Sequence, residues 1–217
     1  MNPDFFPRSD AAVYGVIMND RTSQARLGDA AAQPPYKGLP TAPVLYIKPR
    51  NTWARGGQVI TLPAGESRVE VGAVLGLCMG LDATNVSPQT ALDCVDACVL
   101  AADLSLPHAE YFRPAIRQKC FDGALPMRRM AACPTDIAGL VLRSYIDDVL
   151  VDERALADLL RGPAQLLADV SSFMTLRCGD VLLTGVIYQA PLAHAGSRIR
   201  IEASGAESLE FTLEQAQ

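Results

Sequence analysis

The stretch Arg68–Met79, RVEVGAVLGLCM, decides the fold class of this 217-residue chain. Its first residues alternate between charged and apolar, and the remainder is continuously apolar. This pattern is typical of a strand that enters a protein core. A second apolar run, residues 99–104, predicts another buried strand that ends at Asp103-Leu104-Ser105.

Further short runs of apolar or alternating residues, bounded by turn residues, predict strands on both sides of this stretch. They are residues 44–47, 58–62, 140–146, 149–151, 181–184, 197–203 and 208–213. Helical patterns cover residues 89–98, with Ser87 as N-cap and Pro88 first, and residues 155–173. Because helices do not alternate regularly with strands, a doubly wound parallel sheet is disfavoured. The sequence predicts a β-rich α+β fold with mixed sheets.

The predicted domain organisation is an N-terminal arm with a small strand region, residues 1–42, followed by one domain over residues 43–217. The segment 30–43, AAAQPPYKGLPTAP, is rich in Pro, Ala and Gly and predicts an ordered arm or crossing loop. The chain is long enough to bury a sizeable core.

Charge and hydropathy exclude several classes of protein. The net charge is −5 and there is no basic run, so the chain has no electrostatic footprint for nucleic acid or an anionic membrane. The N-terminal residues do not match a signal peptide, and charges interrupt every apolar stretch before it reaches membrane-spanning length. We expect a soluble cytoplasmic protein.

The six cysteines are scattered and include no C-x-x-C pair. In a cytoplasmic protein they are expected to be reduced thiols, mostly small core residues. Neither histidine, His108 or His194, stands at a spacing that completes a zinc site with them.

Two carboxylates at strand positions are candidate functional residues. Glu70 lies within an otherwise apolar strand, so it either faces solvent or is buried with a metal or cation. Asp103 ends a run of small apolar residues, where it is either a turn carboxylate or part of a site.

A polar and aromatic stretch follows Asp103. It contains Tyr111, Arg113, Arg117, Lys119 and Asp122. Three cations beside aromatic rings suit an anionic substrate, and a solvated charged loop explains them equally well. Composition and spacing name no substrate.

Five segments, in order along the chain, resemble the signature segments of the fumarylacetoacetate hydrolase family. They are residues 46–52 (YIKPRNT), 69–76 (VEVGAVLG), 100–107 (LAADLSLP), 112–126 (FRPAIRQKCFDGALP) and 173–185 (FMTLRCGDVLLTG). Lys-Pro-Arg-Asn-Thr, Ser-Leu-Pro and Tyr-x-Arg-Pro-Ala-Ile are similar to the isomerase/decarboxylase branch that acts in 4-hydroxyphenylacetate degradation.

The resemblance implies mixed sheets rolled around a central site, and a homodimer or pairing with a homologous C-terminal-type subunit. It implies chemistry on an anionic small molecule, assisted by Mg²⁺ or Mn²⁺. The implied reactions are decarboxylation of 5-oxopent-3-ene-1,2,5-tricarboxylate and isomerisation of 2-hydroxyhepta-2,4-diene-1,7-dioate.

The resemblance also assigns roles to residues. Glu70 and Asp103 match metal ligands, and Lys119 matches the active-site lysine, so Lys119 and Asp103 are the expected catalytic residues. The residues expected to contact substrate are Arg113, Tyr111, Lys48 and Thr184.

Two departures from the family pattern leave alternatives open. Arg68 stands where the first Glu of Glu-x-Glu is expected, which predicts weak or absent metal binding. The stretch Asn19-Asp20-Arg21 lacks the His that hydrolases use as a general base, so hydrolysis of a carbon–carbon bond is disfavoured. The competing interpretation is a non-catalytic subunit whose homologous partner carries the complete site.

Overall fold

The structure is a computed structural model that describes residues 7–8, 10–108 and 114–216. In this part, thirteen strands make up most of the regular structure. They are β1 (Val13–Ile17), β2 (Val44–Ile47), β3 (Trp53–Arg55), β4 (Val59–Leu62), β5 (Arg68–Met79), β6 (Val95–Ser105), β7 (Leu125–Arg129), β8 (Val141–Ile146), β9 (Val149–Ala155), β10 (Val181–Leu183), β11 (Leu192–His194), β12 (Arg198–Ala203) and β13 (Leu209–Gln215). The α-helices are α1 (Arg21–Leu27), α2 (Ile116–Lys119) and α3 (Pro163–Ser171).

The strands form two mixed sheets. The larger sheet has the order β2-β1-β10-β5-β6-β7-β3, and β11 pairs with the beginning of β5. The second sheet has the order β4-β13-β12-β8-β9. Parallel pairs, such as β1 with β10 and β4 with β13, occur among antiparallel ones. The predicted β-rich α+β fold with mixed sheets is confirmed.

The centre of the larger sheet is the antiparallel pair β5 and β6. From Val71 to Met79 every residue of β5 is buried, and β6 is buried from Ala97 to Ser105. Both faces of these strands are therefore covered, which explains their continuous apolar sequence. The register places Asp103 of β6 directly opposite Gly72 of β5.

The predicted helix over residues 89–98 is wrong. The structure has a 3₁₀ turn at Ala91–Cys94, and β6 begins at Val95, which pairs with Met79 of β5. Pairing along the whole length of β5 outweighs a short local helical pattern, because a helix of about ten residues is marginal on its own.

The second predicted helix, over residues 155–173, is shorter than expected. Ala155 ends β9, a 3₁₀ turn follows at Leu156–Asp158, and α3 occupies Pro163–Ser171. Pro163 stands in the first turn of α3, a position where proline's fixed φ and missing N–H are tolerated. The apolar pattern before it belongs to the strand and the turn.

The region predicted as an N-terminal arm contains β1. This strand pairs with β2 and with β10 inside the larger sheet. The domain boundary at residue 43 stays a prediction. No helix of the described part is long and apolar enough to cross a membrane.

One cysteine pair differs from the expectation of reduced thiols. Cys98 of β6 and Cys133 are joined by a disulfide, with their Cα atoms 5.0 Å apart and a separation of 35 positions in sequence. The chain after β7 returns to the buried face of β6, which the cysteine spacing could not indicate. Cys78, Cys94, Cys120 and Cys178 are free.

A buried arginine ties the two sheets together. Arg154 of β9 is 4% exposed, and its Nη2 donates to the carbonyls of Ala73 (2.7 Å) and Gly185 (2.9 Å). Its Nη1 lies 4.0 Å from Oδ2 of Asp20, whose carboxylate caps α1 through the backbone N–H of Ser23. Burial lowers the pKa of Arg154, and the charge of Asp20 opposes this shift. We call this the Arg154–Asp20 cluster.

Candidate active site

Asp103 is the centre of a buried polar cluster near the end of β6. Its carboxylate accepts Lys48 Nζ at 2.7 Å, and Lys119 Nζ lies 3.3 Å from both of its oxygens. The hydroxyl of Tyr46 donates to Oδ2. The side chains of Lys48 and Asp103 are fully buried, and that of Lys119 is 7% exposed. We call these four residues the Asp103 cluster.

Lys48 is held by backbone as well as by Asp103. It follows β2, and its ammonium donates to the carbonyls of Leu104 (3.0 Å), Lys119 (2.7 Å) and Ala124 (3.1 Å). An ammonium has three N–H donors, so four acceptors already exceed them. Lys48 therefore fixes the end of β6 and the end of α2, and it has no donor left for a ligand.

Tyr46 reaches Asp103 because the neighbouring strand carries a glycine. Gly15 of β1 lies opposite Tyr46 of β2, and a Cβ at residue 15 would stand 2.1 Å from Cζ of the Tyr46 ring. Glycine in a strand interior commonly marks such a close approach. The ring thus crosses β1 and delivers its hydroxyl to the cluster.

Lys119 is the member of the cluster that borders open space. It is the last residue of α2, and its ammonium lies 4.8 Å from the centre of the Tyr46 ring. Among the described residues its hydrogen bonds go to Asp103 alone, and both are long for a charged pair. Within the part of the chain that the structure describes, one of its three N–H groups has no acceptor and can donate to a ligand.

Two cavities meet at Lys119. The smaller, of about 10 Å³, has the volume of roughly one water molecule. The larger, of about 340 Å³, is within the range of small-molecule pockets. The smaller is lined by Ile17, Met18, Glu70, Asp103, Ser105, Lys119, Val186, Ile187, Tyr188 and Ala190. The larger is lined by Ile17, Val44, Leu45, Tyr46, Ile47, His108, Pro114, Ala115, Ile116, Lys119 and Cys120.

Glu70 faces the smaller cavity, whereas Arg68 is exposed at the beginning of β5. Burial raises the pKa of Glu70 to about 7, and the charge of Lys119 opposes this shift. Gly72, two residues further along β5, lies beneath Val186, because a Cβ there would meet Val186 Cγ2 at 2.2 Å. The cavity wall therefore packs directly on the strand beside Asp103.

The charges of the cluster are set by competing effects. Burial alone would raise the pKa of Asp103, but Lys119 and Lys48 hold it below its ordinary value. Burial lowers the pKa of Lys48 to about 8, against the pull of Asp103. Burial also raises the pKa of Tyr46, so its hydroxyl stays a hydrogen-bond donor. The carboxylate is ionised at neutral pH.

Glu70, Asp103 and Lys119, to which the resemblance assigned site roles, line one cavity. Their roles as metal ligands and catalytic residues stay predictions. Thr184 is fully buried, and its hydroxyl donates to the carbonyl of Leu75 (3.1 Å). Tyr111 and Arg113 lie outside the described residues.

Asn19 and Asp20 belong to the stretch where hydrolases of the family carry their general base, and in this chain both side chains make structural hydrogen bonds. Asp20 caps α1, and the amide of Asn19 donates to the carbonyls of Thr184 (2.8 Å) and Arg161 (3.0 Å). Both side chains are buried.

Sequence reasoning assigned no role to Tyr46 or Gly15. The signal for them was present: Gly15 interrupts the strand pattern VYGVI, and a glycine in a strand predicts a close neighbour. It could not identify that neighbour, because the register of β1 with β2 is set by the whole sheet.

A family model described as "Fumarylacetoacetate (FAA) hydrolase C-terminal" matches residues 12–214. The chain belongs to the fumarylacetoacetate hydrolase family. Two relatives of the bifunctional type match 198 residues each, or 91% of this chain. The "4-hydroxyphenylacetate degradation bifunctional isomerase/decarboxylase" of Salmonella dublin is 37% identical, and the "Homoprotocatechuate catabolism bifunctional isomerase/decarboxylase" of Escherichia coli is 35% identical. The match covers 46% of each, so the chain spans about half the length of these relatives.

Solved structures of the family share the fold. 5-carboxymethyl-2-hydroxymuconate delta-isomerase from Mycobacterium smegmatis has a TM-score of 0.78 at 21% identity, covering 95% of this chain and 80% of that one. Fumarylpyruvate hydrolase from Pseudomonas aeruginosa, in complex with Mn²⁺ and pyruvate, has a TM-score of 0.81 at 18% identity, covering 99% and 100%.

The donor set of this chain does not fit a divalent cation such as Mg²⁺ or Mn²⁺. Of the two predicted ligands, Asp103 already accepts from two ammonium groups and a phenol, and only Glu70 has oxygens free of described hydrogen bonds. The described residues contain no group of three His, Cys, Asp or Glu side chains that could hold a metal. Mg²⁺ commonly keeps several waters, so the number of protein ligands alone does not exclude it. It is disfavoured here because the oxygens of Asp103 are already used and the Lys119 ammonium repels a cation.

Proposed function

We propose that this chain is a decarboxylase/isomerase that acts on an α-keto or enol di- or tricarboxylate in aromatic catabolism. The proposed reactions are decarboxylation of 5-oxopent-3-ene-1,2,5-tricarboxylate and isomerisation of 2-hydroxyhepta-2,4-diene-1,7-dioate. The observation that carries the proposal is the ammonium of Lys119, which borders both cavities and is held by a buried carboxylate. Relatives of the bifunctional type, at 35 to 37% identity, support the reaction class.

Both reactions develop negative charge on the keto or enol oxygen that is conjugated with the reacting carbon. When carbon dioxide leaves, the electron pair of the broken bond moves through the carbon–carbon double bond onto the keto oxygen and forms a dienolate. In the isomerisation, loss of the enol hydroxyl proton produces the same kind of anion, and a proton is then added at a carbon of the diene. A fixed cation in a site that excludes water stabilises such an oxyanion strongly. In the proposed reactions Lys119, which borders both cavities, takes this role, and the mostly apolar walls of the larger cavity would limit access of water.

Arg113 and Tyr111 remain proposed substrate contacts on the strength of the resemblance, as does Thr184. The role of Lys48 is proposed to be indirect, because its ammonium is fully used by Asp103 and backbone carbonyls. Weak or absent binding of Mg²⁺ or Mn²⁺ also stays a prediction, as does the cytoplasmic location. The donor set argues against a tightly held metal.

A second candidate function is a non-catalytic subunit paired with a homologous chain. It is favoured by Arg68, which stands in place of a ligand, and by the match to about half of the bifunctional relatives. In that case the partner would carry the complete site, and Lys119 would serve only the interior of this chain.

The test is decarboxylation of the tricarboxylate by the purified chain, alone and mixed with a homologous partner subunit. Lys119→Met should lower turnover by about a hundredfold, by analogy with loss of one oxyanion donor. Lys37→Met, which removes an exposed ammonium, is the matched control and should leave the rate unchanged. Equal rates for wild type and Lys119→Met in both settings would support the non-catalytic subunit.

A further inference from the structure

We propose that the Asp103 cluster of this chain binds an anionic oxygen of its ligand directly through the Lys119 ammonium, without a divalent cation, and that Asp103 is the buried counter-ion of this anion site. The identity of the ligand as an α-keto or enol carboxylate rests on the proposed function. The binding mode rests on the geometry alone.

The first argument is the occupancy of Asp103. Its Oδ1 accepts Lys48 and Lys119, and its Oδ2 accepts Tyr46 and Lys119. A carboxylate offers about four lone-pair positions, and these contacts use them. A metal would have to displace Lys119 or Tyr46, so Asp103 acts here as an acceptor for side chains.

The second argument is the local charge. Within the Asp103 cluster, Lys48 and Lys119 lie within 3.3 Å of one carboxylate, which leaves one positive charge in excess. Glu70 lines the same cavity, and because its pKa is raised to about 7 it offsets this charge only in part at neutral pH. Such a centre repels a divalent cation and attracts an anion. The excess charge is on the residue that borders the cavities, because Lys48 is enclosed by Asp103 and three carbonyls.

The third argument is rigidity. Lys48 donates to the carbonyl of Lys119 and to the carboxylate of Asp103, so a single buried ammonium fixes both ends of the Lys119–Asp103 pair. The Tyr46 ring lies 4.8 Å from the Lys119 ammonium and limits its movement on another side. A preorganised donor of this kind costs little reorganisation when an anion arrives.

Oxalate, a planar dianion that resembles the enolate of an α-keto acid, is the probe. Calorimetric titration of the folded chain in excess EDTA should show oxalate binding. Lys119→Met should weaken it by about tenfold or more, as expected for one hydrogen bond between charged groups. Lys37→Met should retain the wild-type affinity. Circular dichroism of each variant verifies that it is folded.

A parallel titration with Mn²⁺ tests whether the site binds a divalent cation. The concentration of free Mn²⁺ is measured by electron paramagnetic resonance. We expect no binding tighter than about 1 mM, the weak end of the range for protein cation sites. The inference is overturned if oxalate binds only with Mn²⁺ present, or if Lys119→Met binds it as tightly as wild type. It is also overturned if oxalate does not bind at all. Oxalate binding without turnover of the tricarboxylate would refute the proposed function and leave the anion site standing.

Discussion

The Asp103 cluster and the Arg154–Asp20 cluster are built from similar parts but differ in their surroundings. Each joins a buried carboxylate to a buried cation, and each ties separate strands through backbone carbonyls. Arg154 even has two atoms, Nε and Nη1, without a hydrogen-bond partner in the described part. It lines neither of the two cavities at the site, whereas Lys119 lines both.

The difference shows what marks a candidate site in this fold. Buried charge alone does not identify a site, because both clusters contain buried charges. An unused hydrogen-bond donor alone does not identify one either, because Arg154 also has unused donors in the described part. Lys119 differs from Arg154 in having a donor that borders the two cavities while its neighbours are buried and hydrogen-bonded. We therefore expect substitutions in the two clusters to affect different properties.

The largest expected difference is between the stabilities of two variants, one that removes Arg154 and one that removes Lys119. Arg154→Met leaves the carbonyls of Ala73 and Gly185 without their donor and Asp20 without its nearby cation, and we expect it to lower the free energy of unfolding by about 3 kcal/mol or more. In Lys119→Met, Asp103 keeps Lys48 and Tyr46, so the expected loss is about 1 kcal/mol or less.

The measurement is urea-induced unfolding of both variants, combined with oxalate binding. Arg154→Met should bind oxalate within about threefold of wild type, because Arg154 does not contact the cavities. If Lys119→Met were instead the less stable variant, the Lys119 ammonium would mainly stabilise the fold. That result would contradict the proposed difference between the two clusters.

A smaller effect is expected in the pH dependence of stability, through the carboxyl group of Glu70 beside the Asp103 cluster. Burial raises the pKa of Glu70 from 4.5 to about 7, so between these values the folded chain binds more protons than the unfolded chain. Its contribution to stability must therefore decrease as pH rises from about 4.5 to about 7. Because Glu70 is only partly buried, solvent screening keeps this change small.

Glu70→Gln should remove that decrease. The comparison is the difference in free energy of unfolding between wild type and Glu70→Gln, measured at intervals from pH 4.5 to 8. The gap should grow in favour of the variant as pH rises. A constant gap over this interval would show that the Glu70 carboxyl titrates as it does in the unfolded chain.

The sequence predicted the parts that depend on local pattern. The bounds of β5 were predicted to the residue, because its apolar run is buried on both faces. The resemblance assigned Glu70, Asp103 and Lys119 to one site, and these residues line one cavity, although their roles there stay predictions. The resemblance to a family, not the pattern, assigned their chemistry.

The features of the fold and the site that the sequence did not predict depend on pairing between segments that are distant in sequence. The beginning of β6 at Val95 is set by Met79 of β5, and the Cys98–Cys133 disulfide forms because the chain after β7 returns to β6. Lys48 was expected to contact substrate, yet its ammonium is used by carbonyls that come from three other segments. No spacing in the sequence reveals those acceptors.

The most direct test of the anion site is nuclear magnetic resonance of the lysine side chains. The chain has three lysines: Lys37 is exposed, Lys48 is enclosed and Lys119 borders the cavities. With ¹³C,¹⁵N-labelled lysine, each Cε–Nζ signal can be assigned from Lys37→Arg and Lys119→Met. On addition of oxalate in excess EDTA, we expect the Lys119 signal to shift most and the Lys37 signal to stay in place. An unchanged Lys119 signal under conditions where oxalate binds would contradict the account.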